Sequence, residues 1–190
     1  MIMCDFIWGD FIEESVVDGL IDFWKNQDIL YVKDGVVTFN KTTTVNKDFK
    51  DSRDITITTN LAVKSIQDYL TSLQCVLDKY KKKFPHCDAT GQYNVDIGMN
   101  LQWYPVGGGY PLWHSERMSS SRSVVYRHLV FMTYLNDVPD GGTEWFHQKK
   151  YVPAQKGYTV IWPADWTHLH RGVISKTSEK YIITGWFSFT

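Results

Sequence analysis

Between Asn94 and Tyr104 the chain alternates without a break. Val95, Ile97, Met99, Leu101 and Trp103 fall on one face, and Asp96, Asn100, Gln102 and Tyr104 on the other. A period of two held over this length commits the segment to a β-strand, because strand side chains point to opposite faces in turn. The second face is polar. It runs through Pro105 and Gly107-Gly108-Gly109, a tight turn that glycine permits, directly into Leu112-Trp113-His114-Ser115-Glu116-Arg117. A polar face leading to that stretch is expected to line a pocket.

More β pattern follows. Val124 to Leu135 is a long run of mixed hydrophobicity, the signature of a strand covered on both faces. Asp140-Gly141-Gly142 reads as a turn, Thr143 to Phe146 and Tyr151 to Pro153 as short strands, Tyr158 to Trp162 as another, and Lys180 to Phe189 as the last. Ser119 to Ser123 is a polar loop, and Pro163-Ala164-Asp165 turns the chain into a histidine cluster.

The first half carries a different period. Ile12, Val16, Leu20 and Trp24 recur at helical spacing over Asp10 to Lys25, with Asp10 and Glu13 placed as a capping box. A second helix is expected from Leu61 to Lys83, with Ile66, Leu70, Leu73, Leu77 and Tyr80 on its apolar stripe. Lys81-Lys82-Lys83 complement its dipole and Phe84-Pro85 ends it, so the basic triplet needs no nucleic-acid role. Ile29 to Phe39 reads as short β segments turned at Asp34-Gly35, and Lys41 to Asp54 as a polar, irregular stretch. Its Lys47, Lys50 and Arg53 are solvated or form a substrate rim. Two helices followed by strands with turn signals between them suggest a helix-buttressed double sheet or jelly roll. No linker, repeat or low-complexity tract divides the 190 residues, so a single domain is expected over 1–190. Residues 1–90 would be helical and β support, and 91–190 the core.

A formal net charge of −1 removes the basic footprint of a general nucleic-acid binder. Cys4, Cys75 and Cys87 lack both even number and metal-knuckle spacing, which suits reduced packing residues. No apolar run approaches the ~20 residues that span a bilayer, and Met1-Ile2-Met3-Cys4-Asp5 lacks the layout of a secretory signal. The expectation is a cytoplasmic protein with no membrane or nucleic-acid partner.

If Leu112 to Arg117 is extended, His114 and Glu116 point the same way, and an imidazole and a carboxylate converge on one point. A third ligand is available in Trp166-Thr167-His168-Leu169-His170-Arg171-Gly172. Two histidines and one carboxylate make the facial triad of non-heme Fe(II) oxygenases, which leaves open positions for substrate and O2. His168 and His170 alternate, so either can face the metal. The pair His86 and Cys87 has nothing nearby to complete a site, and His128 and His147 read as structural or exposed.

From Val95 to Phe189 the chain resembles the catalytic core of the 2-oxoglutarate/Fe(II)-dependent dioxygenases, in the prolyl-4-hydroxylase-like branch. The resemblance rests on eight elements in order: Tyr104-Pro105 with its glycine turn, His114-x-Glu116, Tyr134-Leu135-Asn136, Gly141-Gly142-Thr143-Glu144, Pro153 through Gly157, Trp162-Pro163-Ala164, His170-Arg171-Gly172 and Lys180 through Trp186. It implies a mostly β fold, a double-stranded β-helix (jelly roll, cupin-like) core buttressed by N-terminal α-helices. It implies Fe(II) held by His114, Glu116 and His170, with 2-oxoglutarate and O2 as cosubstrates and room for ascorbate. Lys180, about ten residues past the distal histidine, would bind the far carboxylate of 2-oxoglutarate. A ligand carboxylate would offset the desolvation of that buried cation. Thr184 and Tyr134 would donate to the same carboxylate, and Tyr104 nearer the metal. His168 becomes a pocket residue.

Two positions depart from the family pattern. Glu116 stands where aspartate is usual and is longer by one methylene. Lys180 presents a point charge where some relatives have arginine's fork. By resemblance the substrate is a prolyl residue of a peptide or protein, with a free amino acid or small metabolite as the alternative. From other classes, a His2Glu zinc hydrolase has no need of Lys180, Tyr134 and Thr184 arranged around a dicarboxylate. A non-catalytic jelly-roll binding module has no need of the complete ligand set.

Overall fold

The computed structural model describes residues 4–27, 31–39, 42–89, 91–96, 98–119 and 121–190. Ile29, Lys41, Ile97 and Ser120, each part of a segment read above, lie outside the described residues. In chain order the elements are β1 (Trp8–Phe11), α1 (Glu14–Lys25), β2 (Lys33–Asp34), β3 (Val37–Phe39), β4 (Thr42–Thr44), β5 (Arg53–Thr58), α2 (Lys64–Lys83), β6 (Tyr93–Val95), β7 (Gly98–Tyr104), α3 (Arg122–Val125), β8 (Arg127–Tyr134), β9 (Val138–Trp145), β10 (Lys150–Ala154), β11 (Tyr158–Pro163), β12 (His170–Gly172) and β13 (Lys180–Phe189). Short 3-10 turns occupy Pro85–Asp88 and Trp166–His168.

The strands form a major sheet in the order β1-β11-β8-β13-β7-β5-β2, with β6 beside the far end of β13, and a minor sheet in the order β10-β9-β12. All pairings are antiparallel. The mixed hydrophobicity of β8 follows from its place in this sandwich. Leu129 and Phe131 face the helices and pack with Val17, Leu20, Ile66 and Leu73. Val130, Met132 and Tyr134 face the minor sheet and pack with Val138, Trp145 and Val152. Both faces are covered, so neither is polar. Strand β13 alternates in the same sense: Ile183 and Phe187 lie on the helix side, while Lys180, Ile182, Thr184 and Trp186 line the cavity between the sheets.

The structure is the mostly β, helix-buttressed double sheet expected from the sequence, with local corrections. Helix α1 starts at Glu14 with no side-chain cap bond. Asp10 instead lies in β1 and pairs with Lys79 at 2.6 Å, so the capping box does not form. β2 and β3 do not fold on each other at Asp34-Gly35; β2 pairs β5, and β3 pairs β4. Lys41 to Asp54 is less irregular than its polarity suggested, because β4 lies within it and β5 begins at Arg53. The alternating stretch is two strands, β6 against Phe187–Phe189 and β7 against Lys180–Thr184. Asp140-Gly141-Gly142 is not a turn but the middle of β9. A Cβ on Gly142 would sit 2.1 Å from the Val152 carbonyl oxygen and 2.7 Å from the Tyr151 ring. Close strand approach, not chain reversal, therefore requires that glycine. Gly107, at φ +81, does serve the turn expected of it.

Candidate metal centre

The His114 segment is not a continuous strand. It touches the edge of the minor sheet at one point, a bridge between His114 and His170. The two residues exchange backbone hydrogen bonds at 3.0 and 2.8 Å. Glu116 lies just beyond, in a turn. One pairing and one turn thus bring three side chains from distant parts of the sequence to a single point. Glu116 Oε1 is 3.6 Å from His114 Nε2 and 3.5 Å from His170 Nε2. Among the described residues this is the group of imidazoles and carboxylates close enough to hold a metal ion, with ligand atoms within 4.8 Å of one another.

Each imidazole is aimed from behind. The Nδ1 of His114 lies 2.8 Å from the Leu112 carbonyl oxygen, and that of His170 lies 2.9 Å from the His168 carbonyl oxygen. A carbonyl only accepts, so both Nδ1 atoms carry the proton and both Nε2 atoms present a lone pair toward Glu116. Trp162 and Trp145 wall the His170 ring, with centroids at 5.0 and 6.2 Å. Burial and the neighbouring His114 pull the pKa of His170 down, which keeps its lone pair available. Burial pushes the Glu116 carboxyl up, but in the metal-free site the two facing rings, when protonated at Nε2, more than offset it by hydrogen bonding and charge and hold the group well below the usual carboxylate range; deprotonated, they free those nitrogens for an ion. Two neutral imidazoles and one carboxylate, with Nε2, Nε2 and Oε1 converging, fit an Fe(II) ion and leave the cavity side open.

His168 belongs elsewhere. It sits in the 3-10 turn, not on β12, with Nε2 2.9 Å from the Asp5 carbonyl oxygen and Nδ1 3.0 Å from Thr167 Oγ1. It fastens the N-terminal segment. His128 is likewise structural, with its ring against the Cys87 carbonyl at 2.8 Å, and His147 is exposed.

From the three ligands the cavity extends along β13, across β7 and β5, with a volume of about 2050 Å³. Lys180 stands in its wall, 5 % exposed. Its ammonium donates to the carbonyl oxygens of Gly141 and Val173, both at 2.9 Å, and lies 5.5 Å from the centre of the Tyr104 ring. These partners are neutral, and burial pulls the Lys180 pKa down to about 8, opposed in part by Asp140. An acidic ligand entering the cavity meets a cation whose charge nothing adjacent balances.

The cavity also holds Tyr104, Tyr134 and Thr184. Each hydroxyl already donates within the protein: Tyr104 to Gln102 Oε1 at 2.8 Å, Tyr134 to Thr143 Oγ1 at 2.7 Å, and Thr184 to the Phe131 carbonyl at 2.9 Å. Of the residues expected to be solvated or to form a rim, Lys50 is buried in the cavity wall and paired with Asp54 at 2.6 Å, while Lys47 and Arg53 are exposed beside Asp51 and Asp34. Two residues that sequence reasoning passed over close the site. Trp186 Nε1 donates to Glu116 Oε2 at 2.9 Å, and Arg127 donates to the same oxygen at 3.3 Å. The period-two spacing from Lys180 through Thr184 points to Trp186; nothing in the sequence around Arg127 marks it.

Residues 99–188 match the model of the 2OG-Fe(II) oxygenase superfamily. A comparison with curated protein sequences gave no match. Among solved structures, the chain is similar to a prolyl-4-hydroxylase of Pseudomonas putida, at TM-score 0.70 and 15% identity over 97% of this chain and 91% of that one. It is similar to the viral collagen prolyl hydroxylase of Paramecium Bursaria Chlorella virus-1, at TM-score 0.70 and 17% identity over 97% of both chains. A Trichoplax adhaerens prolyl hydroxylase, solved with a hypoxia inducible factor oxygen degradation domain peptide fragment, aligns at TM-score 0.68 and 15% identity over 96% of this chain and 82% of that one. The match and the His-Glu-His cluster agree: residues 99–188 form a 2OG-Fe(II) oxygenase domain, with the fold of these prolyl hydroxylases.

Proposed function

We propose that this enzyme hydroxylates a prolyl residue of a peptide or protein, with His114, Glu116 and His170 as the iron ligands and Lys180 as the anchor of 2-oxoglutarate. The observation that carries the reading is the pairing of the three converged ligand atoms with a buried, uncompensated ammonium in one cavity. Iron and 2-oxoglutarate, when bound, supply the oxidising chemistry: O2 is consumed, 2-oxoglutarate becomes succinate and CO2, and one oxygen atom enters a substrate C–H bond.

The protein's own residues position and shield. His114 and His170 offer fixed lone pairs because their Nδ1–H groups are held by backbone carbonyls. Lys180 neutralises the far carboxylate, while Tyr134 and Thr184, on the same inner wall, exchange their bonds to Thr143 and to the Phe131 carbonyl for bonds to it when it binds. Tyr104 stands beside the ammonium and nearer β7's entry to the glycine turn. Trp162 and Trp145 exclude water from behind His170. Residues 91–190 carry this chemistry, and residues 1–90 support the sheet and one wall of the cavity.

A peptide substrate is supported by the size of the cavity, about 2050 Å³, and by the peptide bound in the Trichoplax adhaerens structure. We also assign the protein to the cytoplasm, in keeping with three free cysteines and with no described helix long and apolar enough to cross a membrane.

The test is an anaerobic titration with Fe(II) and then 2-oxoglutarate, followed by the visible charge-transfer band of the chelate. Wild type and His168→Ala should develop the band, and His170→Ala should lose it. A band that survives His170→Ala, or tight Zn(II) binding with none, overturns the ligand assignment. Mass spectrometry of proline-containing peptides and of free proline after turnover then decides the substrate. A 16 Da gain on the free amino acid alone would replace the peptide reading.

A further inference from the structure

Glutamate at the carboxylate position raises a difficulty that the surrounding residues answer. A glutamate side chain is long and flexible enough to swing both oxygens onto one ion. An octahedral ion has six positions. Two imidazoles and a one-oxygen carboxylate leave three of them, enough for a chelating cosubstrate and O2. A two-oxygen carboxylate leaves two, and O2 then has no place.

The two oxygens of Glu116 are treated differently here. Oε1 faces His114 and His170 at 3.6 and 3.5 Å. Oε2 is turned away to the Trp186 indole N–H at 2.9 Å and the Arg127 guanidinium at 3.3 Å. Arg127 also donates to the Glu116 backbone oxygen at 3.1 Å, so one guanidinium nitrogen holds both ends of the residue. Arg127 is itself braced: its guanidinium carbon lies 3.5 Å from the centre of the Trp186 ring. The two come from neighbouring strands, since β8 and β13 pair Val130 with Trp186 and Arg127 with Ser188. The clamp is therefore built into the major sheet, while its target sits on a turn at the edge of the minor one.

We propose that Trp186 and Arg127 are positioning residues that hold Glu116 to one-oxygen ligation, and that this clamp fits the longer carboxylate to the iron centre. The proposal rests on the assignment of Glu116 as a ligand. Trp186 supplies direction through its N–H. Arg127 supplies charge, and its stacking keeps the indole from rotating away. A shorter carboxylate at the same position would leave Oε2 out of reach of the indole, so the clamp and the methylene belong together.

The experiment measures metal affinity and not turnover. Anaerobic Fe(II) binding by calorimetry and Mn(II) binding by electron paramagnetic resonance are compared for wild type, Trp186→Phe, Arg127→Met, Glu116→Asp and the double variant Glu116→Asp/Trp186→Phe. Trp186→Phe keeps the ring and deletes only the donor, and it should weaken metal binding about tenfold. It should also change the Mn(II) zero-field splitting, because a freed Oε2 joins the ion. In the Glu116→Asp background the same Trp186→Phe change should alter affinity by less than about twofold, since the shorter carboxylate made no bond to lose. Arg127→Met should reproduce the spectral change if the Phe variant fails a thermal-melt check for folding. Equal losses in both backgrounds would show Trp186 acting through packing and overturn the clamp. Wild-type binding with Trp186→Phe and Arg127→Met unaltered would overturn the clamp and leave the ligand assignment standing. No metal binding by the wild type would overturn both.

Discussion

With Lys180 as the proposed anchor of 2-oxoglutarate, folding and function pull on this residue in opposite directions. Buried among carbonyls, its ammonium loses hydration that its neutral partners do not restore, and its pKa falls to about 8. A cation whose folded pKa lies below its unfolded one penalises the folded state wherever it is charged. The penalty is complete below about pH 8 and relaxes as pH rises toward the ordinary lysine value of 10.5, because over that window the unfolded chain holds the proton and the native one does not. Its size is on the order of 3 kcal/mol. Lys180→Met should therefore raise the melting temperature of the ligand-free protein at pH 7 and flatten its dependence between pH 8 and 10. The same variant should weaken 2-oxoglutarate binding by roughly 100-fold or more, since the ligand carboxylate is left buried without a partner. Melting curves and ligand titrations on one preparation check both; a Met variant less stable than wild type would show that the ammonium is already compensated.

At the scale of elements, β9 and β10 carry the clearest local constraint. Gly142 lies where a Cβ would meet the Val152 carbonyl oxygen at 2.1 Å, so Gly142→Ala must push the two strands apart. The expected loss is about 1–3 kcal/mol in chemical denaturation. Gly107→Ala, at positive φ but with open space around it, is expected to cost about 1 kcal/mol through backbone strain alone. What the sequence made legible follows the same division. Period-3.6 patterns located α1 and α2 and period-two alternation located β7, because an apolar face beside a polar one leaves a periodic trace; β8, covered on both faces, was legible as a long run of mixed hydrophobicity. Asp140-Gly141-Gly142 misled because glycine marks close approach as readily as reversal. Of β5, Arg53 and Asp54 fell within the stretch expected to be irregular and Ile55 to Thr58 carried no assignment, although Ile55 and Ile57 alternate, since four residues are too short a run to stand out. At the site, the pair His114 and Glu116 was legible from its spacing, as was a third ligand at His168 or His170. The choice between His168 and His170 was not, because it depends on a 3-10 turn that delivers one ring to Asp5 and the other to the cavity. Arg127 was illegible for a related reason: its contact with Glu116, at 3.1 and 3.3 Å, is made by the fold and is not marked by neighbours in the chain.

For the whole molecule, the metal and 2-oxoglutarate act on stability through a site that only the folded state contains. A ligand at 100 times its dissociation constant adds about 2.7 kcal/mol, which for a domain of this size raises the melting temperature by roughly 5–10 °C. Fe(II) or Mn(II) should raise it first, 2-oxoglutarate should raise it further only in the presence of metal, and a chelator should return it to the starting value. A shift with 2-oxoglutarate alone that equals the shift with both would place its binding on Lys180 without chelation.

The reciprocal backbone bonds between His114 and His170 have a bearing on how long the molecule keeps its shape. Those bonds form the outermost rung of the minor sheet, where fraying begins, and the two imidazoles leave or arrive together with it. An ion held by both rings is thus a rivet through the last rung. A cell short of iron would carry this protein with that edge free to open and close, exposed to proteases at the turn that bears Glu116. Iron supply would then set the lifetime of the enzyme along with its rate.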